Sequence, residues 1–173
     1  NVDIQNQIKT HDLFLGKIEE EAFTPDLLIT VGKSFISKTF KQFIRRNKPK
    51  YHFHIQENSD LIDPLQSITH KIEVSAEYFL KELFESLDIK KMRSGDDEDE
   101  SDYALTWNTM EEHSLKYLHN YLINVDFGEL KATSMLLESL PAETVLHLGN
   151  SMPVRYGNYL AGVIRENIKV SAN

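Results

Sequence analysis

The chain has 173 residues, enough to bury one good core or parts of two, and its 40% hydrophobic and 27% charged residues are ordinary for a globular protein. Its net charge of −8 is local rather than global, because Asp96, Asp97, Glu98, Asp99, Glu100 and Asp102 supply six of the negative charges. The rest is close to balanced and shows no basic stripe, which argues against a nucleic-acid partner. There is no cysteine, which excludes disulfides and thiolate metal sites and is compatible with a cytoplasmic protein. No apolar run approaches the ~20 residues of a membrane span, and no signal-peptide pattern opens the chain.

In chain order, Leu13, Phe14, Leu15 and Ile18 predict a helix with a buried stripe from Thr10 to about Phe23. Pro25-Asp26 punctuates, and Leu27–Val31 reads as a buried strand. After Gly32 the pattern predicts a helix to about Arg46, with Ile36, Phe40 and Phe43 on one face and Asn47 and Pro49 as the stop. Tyr51–Ile55 is a second strand and Lys71–Val74 a short third. Ser75 then caps a helix to about Leu87, with Ala76, Phe79, Leu80, Leu83 and Leu87 inward. This order implies part of a parallel α/β sheet with a right-handed crossover.

Residues Asp88 to Tyr103 lack periodicity and read as an exposed acidic linker. Thr109-Met110-Glu111-Glu112 predicts a capping box, followed by a helix to about Ile123 with Leu115, Leu118 and Leu122 on one face. Gly128 separates it from another helix to Leu140. A strand at Val145–Leu148, a helix from Met152 to about Glu166 and a strand at Ile168–Ala172 complete the chain. Asn1 in place of a methionine and the closing Lys169–Asn173 strand make both ends read as cut, so the expectation is a piece of a longer protein.

Several candidate sites can be weighed on their residues. Gly32-Lys33-Ser34 matches the end of a phosphate-binding loop, but Leu27 stands where its first glycine belongs, and no G-x-G-x-x-G occurs. His52 and His54 alternate on one strand and share a face, yet no third metal ligand follows, so partly buried strand histidines are expected. Asp60 and Asp63 flank a loop ending in Pro64, where turn chemistry explains them more simply than acid–base work. Lys38 falls one turn into the helix after the first strand, at the carboxyl edge of the sheet, where a substrate carboxylate is within a lysine's reach. A solvated surface cation is the competing reading.

The most informative stretch is Thr144–Arg155. A short apolar run ends in Gly149 and passes through Asn150, Ser151 and Pro153 into a helix. That is the carboxyl end of a parallel strand meeting a helix amino terminus, where open α/β sheets place ligands and free amides attract anions. Ser151 is expected to cap the helix, and Arg155 lies four residues on, on the same face. An ordinary strand-to-helix turn with a structural cap is the alternative.

The string Gly149-Asn150-Ser151-Met152-Pro153-Val154-Arg155 resembles a motif of the 2-succinyl-5-enolpyruvyl-6-hydroxy-3-cyclohexene-1-carboxylate synthase family of menaquinone (vitamin K2) biosynthesis, transferases that use thiamine diphosphate. Pro25–Gly32 with Ser37-Lys38 and Lys41-Gln42-Phe43 is similar to the strand-glycine-helix segment of the family's central domain. Tyr156 departs from the aspartate that often follows the arginine there. The resemblance implies a partial Rossmann-like parallel sheet plus the first βα units of a second α/β domain. It divides the chain into residues 1–87 of the central domain, an 88–107 linker and 108–173 opening the diphosphate-binding domain. It implies decarboxylation of 2-oxoglutarate on thiamine diphosphate and addition of the resulting succinyl carbanion to isochorismate. Both substrates carry carboxylates, and by motif match Lys38, Ser151 and Arg155 would contact substrate.

The resemblance also implies thiamine diphosphate and Mg2+ or Mn2+ in the parent enzyme, held by motifs outside these residues. It therefore implies no cofactor binding and no turnover by this piece alone, and a homodimer or homotetramer as the parent. Two rivals remain at this stage. One is a non-catalytic Rossmann-like binding or interaction module; the other is a different thiamine enzyme, such as an acetolactate synthase relative.

Overall fold

A computed structural model describes residues 7–18, 21–32, 34–57, 62–86, 102–165 and 167–172. Lys33, Asp60, Leu87 and the acidic residues 96–100 lie outside the described residues. The chain forms two compact units, and they do not follow chain order. One comprises Glu19–Phe35 and Lys41–Tyr103; the other comprises Asn1–Ile18, Ile36–Phe40 and Ala104–Asn173.

In the unit of residues 19–35 and 41–103, β1 (Leu27–Val31), β2 (Tyr51–Ile55) and β3 (His70–Ile72) form a parallel sheet in the order β1-β2-β3. Leu27 is opposite Tyr51, and Phe53 is opposite His70. Strands joined in parallel need a crossover, and helix α2 (Lys38–Arg46) supplies it between β1 and β2. Gly32 leaves β1 with φ +90°, a conformation that a side chain would strain. The core here is built from Phe23, Phe43, Ile44, Ile55 and Leu65, all buried.

Several expectations are corrected. The first predicted helix shrinks to one turn, α1 (His11–Phe14), followed by a separate 3-10 turn at Glu21–Phe23. Helix α2 begins at Lys38, because Ser37 Oγ accepts the Phe40 amide at 2.9 Å and caps it there. Ile36 therefore lies outside the helix and 54% exposed, not on its buried face. Helix α3 (Ala76–Ser86) starts on the expected Ser75 cap, with Tyr78 N donating to Ser75 Oγ at 3.1 Å. It buries no residue fully, however, and Leu80 is exposed.

His52 and His54 are buried to within 2% and hold a directional polar chain. His54 Nε2 donates to Gln56 Oε1 at 2.9 Å, leaving its Nδ1 to accept from the Thr30 hydroxyl at 2.9 Å. Thr30 Oγ1 then accepts from His52 Nε2 at 2.8 Å, and the Ser67 hydroxyl donates to His52 Nδ1 at 2.8 Å. Every ring nitrogen of the two imidazoles is used. Asp63 does turn chemistry, its carboxylate accepting the Leu65, Gln66 and Ile68 amides.

Burial pushes the His52 imidazole below its ordinary value; the Asp63 carboxylate opposes that shift and His54 reinforces it. A group with a lowered folded pKa binds its proton more readily in the unfolded chain. Stability is therefore complete above the unfolded value of about 6.5 and falls as pH drops below it. The thermal midpoint is expected to fall from pH 7.5 to pH 5.5, and to fall less in a His52→Leu/Thr30→Val variant that removes the chain. Equal drops in the two proteins would refute this assignment.

In the other unit, α4 (Asp102–Asn124), α5 (Glu129–Ser139) and α6 (Met152–Tyr159) accompany a two-stranded parallel sheet of β4 (Val145–Leu148) and β5 (Lys169–Ala172). Residues 102–107, expected in the linker, are helical, so α4 begins well before the predicted capping box. Leu118, Leu137 and Leu160 are its buried centre, with Leu13, Leu122 and Leu146 packed against them. Helix α6 ends at Tyr159, shorter than predicted. It lies close on β4 through Gly157, where an added Cβ would come within 2.5 Å of Leu148 Cδ1. The apolar run of β4 is not buried but alternates exposed with half-buried residues, and β5 is exposed throughout.

Glu111, in the middle of the string read as a capping box, lies inside α4 and is only 8% exposed. Its carboxylate accepts the Lys9 and Thr10 amides at 2.9 and 3.0 Å and the Thr10 hydroxyl at 2.6 Å. It thereby fixes the segment that leads into α1.

Candidate functional site

The stretch singled out in the sequence forms the junction of β4 with α6. Its backbone is more specialised than a plain cap. Ser151 stands at the N-cap position with φ 74° and ψ −125°, and its side chain makes no capping hydrogen bond. The expectation that Ser151 caps the helix is thus corrected. A non-glycine residue held in such a region costs roughly 1–3 kcal/mol, and strain of this kind concentrates where a site needs one backbone geometry. The exposed Ser151 hydroxyl is left available to a ligand.

The amides at this terminus are fewer than the sequence suggested. Pro153 has no N–H, and the Val154 amide donates to the Gly149 carbonyl at 3.2 Å. Among the first three helical residues, Met152 alone offers an amide. Attraction for an anion must then come mainly from side chains. Arg155 is exposed on the first turn of α6, and among the described residues its guanidinium has no ion-pair partner. By contrast, Arg165 is spent on the Glu138 carbonyl at 2.9 Å and Arg45 on the Pro64 carbonyl at 2.7 Å. Tyr156 donates its hydroxyl to Glu129 Oε2 at 2.8 Å, tying α6 to α5, and that bond holds its pKa above the ordinary value.

Lys38 is the first residue of α2, not one turn into it, and is exposed with no ion-pair partner among the described residues. The segment that carries it, Ile36–Phe40, belongs to the same compact unit as Ser151 and Arg155. The connection is made by Asp12, whose carboxylate side chain is 8% exposed. Its Oδ1 accepts from the Ser37 and Thr39 hydroxyls on either side of Lys38. Its Oδ2 accepts from the Asn158 side-chain amide, three residues beyond Arg155 on α6.

Asp12, Thr39 and Asn158 were absent from the sequence reading. Ser37-Lys38-Thr39 resembles any helix start, and no local pattern links residue 12 to residue 158. His11 stacks edge-on against Phe40 at 5.9 Å, and burial holds its imidazole below the ordinary value, against the pull of Asp12 and Glu111. His113 and His119 are exposed on α4. A cleft of about 460 Å3 runs beside α6 and the β4–β5 sheet, lined by Lys9, Leu148, Val154 and Asn158 among others. Lys38, Ser151 and Arg155 do not line it.

Among the described residues no group of three or more His, Cys, Asp or Glu is placed to hold a metal ion. The α6 terminus itself offers few free amides to a diphosphate. Among the described residues no helix is long and apolar enough to cross a membrane.

These features define an α/β protein with parallel sheets and, at strand-to-helix junctions, an arginine and a lysine with no ion-pair partner among the described residues. The family model described as "Middle domain of thiamine pyrophosphate" matches residues 2–148. The chain belongs to this family of thiamine pyrophosphate enzyme middle domains, and its Rossmann-like α/β character agrees with that membership. The match extends past residue 108, where the sequence reading opens a second domain.

The chain is 34% identical over 157 residues to a 2-succinyl-5-enolpyruvyl-6-hydroxy-3-cyclohexene-1-carboxylate synthase of Porphyromonas gingivalis, covering 90% of this chain and 27% of the relative. Synthases of the same name from Cytophaga hutchinsonii and Flavobacterium psychrophilum are 30% and 31% identical, over 98% and 100% of this chain. The chain spans 29% and 30% of their lengths, less than a third of the curated relatives it matches.

Proposed function

We propose that the chain is part of a thiamine diphosphate-dependent 2-succinyl-5-enolpyruvyl-6-hydroxy-3-cyclohexene-1-carboxylate synthase of menaquinone biosynthesis. It would contribute residues 1–87 of the central domain, the 88–107 connection and, from 108 to 173, the start of the diphosphate-binding domain. The parent enzyme acts in the cytoplasm as a homodimer or homotetramer, on 2-oxoglutarate and isochorismate. The observation that carries this reading is the pair of exposed cations Lys38 and Arg155, without an ion-pair partner among the described residues, with the strained Ser151 four residues before Arg155.

In this role Arg155 grips a substrate carboxylate through its planar fork, Lys38 supplies a second positive charge, and the Ser151 hydroxyl donates a hydrogen bond. Thiamine diphosphate and Mg2+ or Mn2+ are held by residues outside those described. The isolated chain is accordingly expected to bind no thiamine diphosphate. Calorimetric titration with cofactor and Mg2+ checks this, and micromolar saturable binding would contradict it.

The reaction is tested on the full-length protein with thiamine diphosphate and Mg2+. Isochorismate is expected to disappear only when 2-oxoglutarate is present, with release of carbon dioxide. Condensation of two pyruvates, with isochorismate untouched, would instead assign an acetolactate synthase relative. No reaction with either donor would favour a non-catalytic module.

A further inference from the structure

We propose that Asp12 is a positioning residue for substrate binding, setting the placement of Lys38 relative to helix α6 and Arg155. This rests on the reading of Lys38 and Arg155 as the cations that bind a substrate carboxylate.

The carboxylate is buried, yet its hydrogen-bond donors are neutral: the Ser37 and Thr39 hydroxyls and the Asn158 amide. The nearest imidazole, His11, has Nε2 3.8 Å from Oδ1 and is held toward its neutral form by burial. A side chain held by three donors at once is strongly oriented by them, because each hydrogen bond is directional. Two of the donors bracket Lys38 in the chain. Ser37 is fixed twice over, since its Oγ also accepts the Phe40 amide at 2.9 Å and starts the helix. The third donor lies on α6 three residues past Arg155, so it sets that helix's rotation as well as its position.

One carboxylate thus joins two segments more than a hundred residues apart in sequence, each bearing a cation with no ion-pair partner among the described residues. Lys38 and Arg155 reach their ligand from backbones that Asp12 has already placed, and pre-placement of this sort lowers the ordering cost of binding.

The test uses the full-length enzyme and separates positioning from general stabilisation. Asp12→Ala is expected to raise KM for the carboxylate substrate about tenfold while kcat stays within about twofold. In a Lys38→Ala background the same substitution is expected to add less than about twofold, because its effect passes through Lys38. Asp12→Asn keeps an acceptor for the two hydroxyls, and Asn158 can turn its amide to pair with the new one, so KM is expected within about threefold of the parent. If Asp12→Ala does not fold, Asn158→Ala at the half-buried helix surface takes its place in the same comparison. The proposal is overturned if these variants leave KM unchanged while Lys38→Ala raises it, or if Asp12→Ala keeps its full factor without Lys38. If Lys38→Ala and Arg155→Ala themselves leave KM unchanged, the reading of the two cations fails first and the proposal falls with it.

Discussion

Replacing Arg155 with alanine in the full-length enzyme is expected to lower kcat/KM for 2-oxoglutarate-dependent turnover by about 10- to 150-fold. A hydrogen bond to a charged group is worth roughly 1.5–3 kcal/mol, and each 1.36 kcal/mol is tenfold in rate. The free protein offers no compensating partner, since among the described residues the guanidinium pairs with nothing whose loss would complicate the comparison. The residue is exposed, so the thermal midpoint should move little. Arg155→Lys should recover part of the loss, because an ammonium keeps the charge but not the two-pronged geometry. If the substrate grip tightens only in the transition state, the loss appears in kcat; if it is uniform, it appears in KM. Unchanged turnover in Arg155→Ala would point to a thiamine enzyme that does not use this arginine.

The largest effect on stability is expected at Glu111. Glu111→Ala strips the acceptor from the Lys9 amide, the Thr10 amide and the Thr10 hydroxyl, and Thr10 is fully buried. Orphaned buried donors cost about 1–3 kcal/mol each, less whatever water can reach them, so a loss of about 2–4 kcal/mol is expected by denaturant unfolding. Glu111→Gln keeps one acceptor oxygen and should cost clearly less. A loss below about 0.5 kcal/mol in the alanine variant would mean that the segment carrying Lys9 and Thr10 is not held as described. Because that segment leads directly to Asp12, the same substitution should also weaken substrate binding.

Much of the fold was legible because hydrophobic runs and punctuation are local signals. Leu27–Val31, Tyr51–Ile55 and Val145–Leu148 are strands with the expected limits, although the first, read as buried, has Leu27 and Val31 exposed at its ends. Errors arose where a cap, a longer helix or a distant partner overrode the pattern read. The periodicity around Ile36 suggested a helix from Gly32, but the Ser37 cap starts it at Lys38. The acidic composition before Thr109 suggested a linker, yet Asp102–Asn124 is one helix. Glu112 has the spacing of a capping box with Thr109, but both lie inside that helix, and the neighbouring Glu111 carboxylate binds a segment about a hundred residues away.

The candidate site divides in the same way. The positions of Ser151 and Arg155 at a strand-to-helix junction followed from Gly149, Pro153 and the apolar run before them. The positive φ of Ser151 did not, because nothing in the local string requires a serine to adopt it. The linkage of the Lys38 turn to α6 through Asp12 was invisible too, since a hydrogen bond from residue 158 to residue 12 leaves no periodic trace.

The central claim is that Lys38 and Arg155 act on one substrate carboxylate, and the most direct measurement is a double-mutant cycle of Lys38→Ala and Arg155→Ala in the full-length enzyme, read as kcat/KM for 2-oxoglutarate-dependent turnover. Two cations sharing one ligand are expected to couple by about 0.5–3 kcal/mol, so the double variant should fall clearly short of the product of the single losses. Losses that multiply within error would place the two side chains on separate ligands and contradict the account.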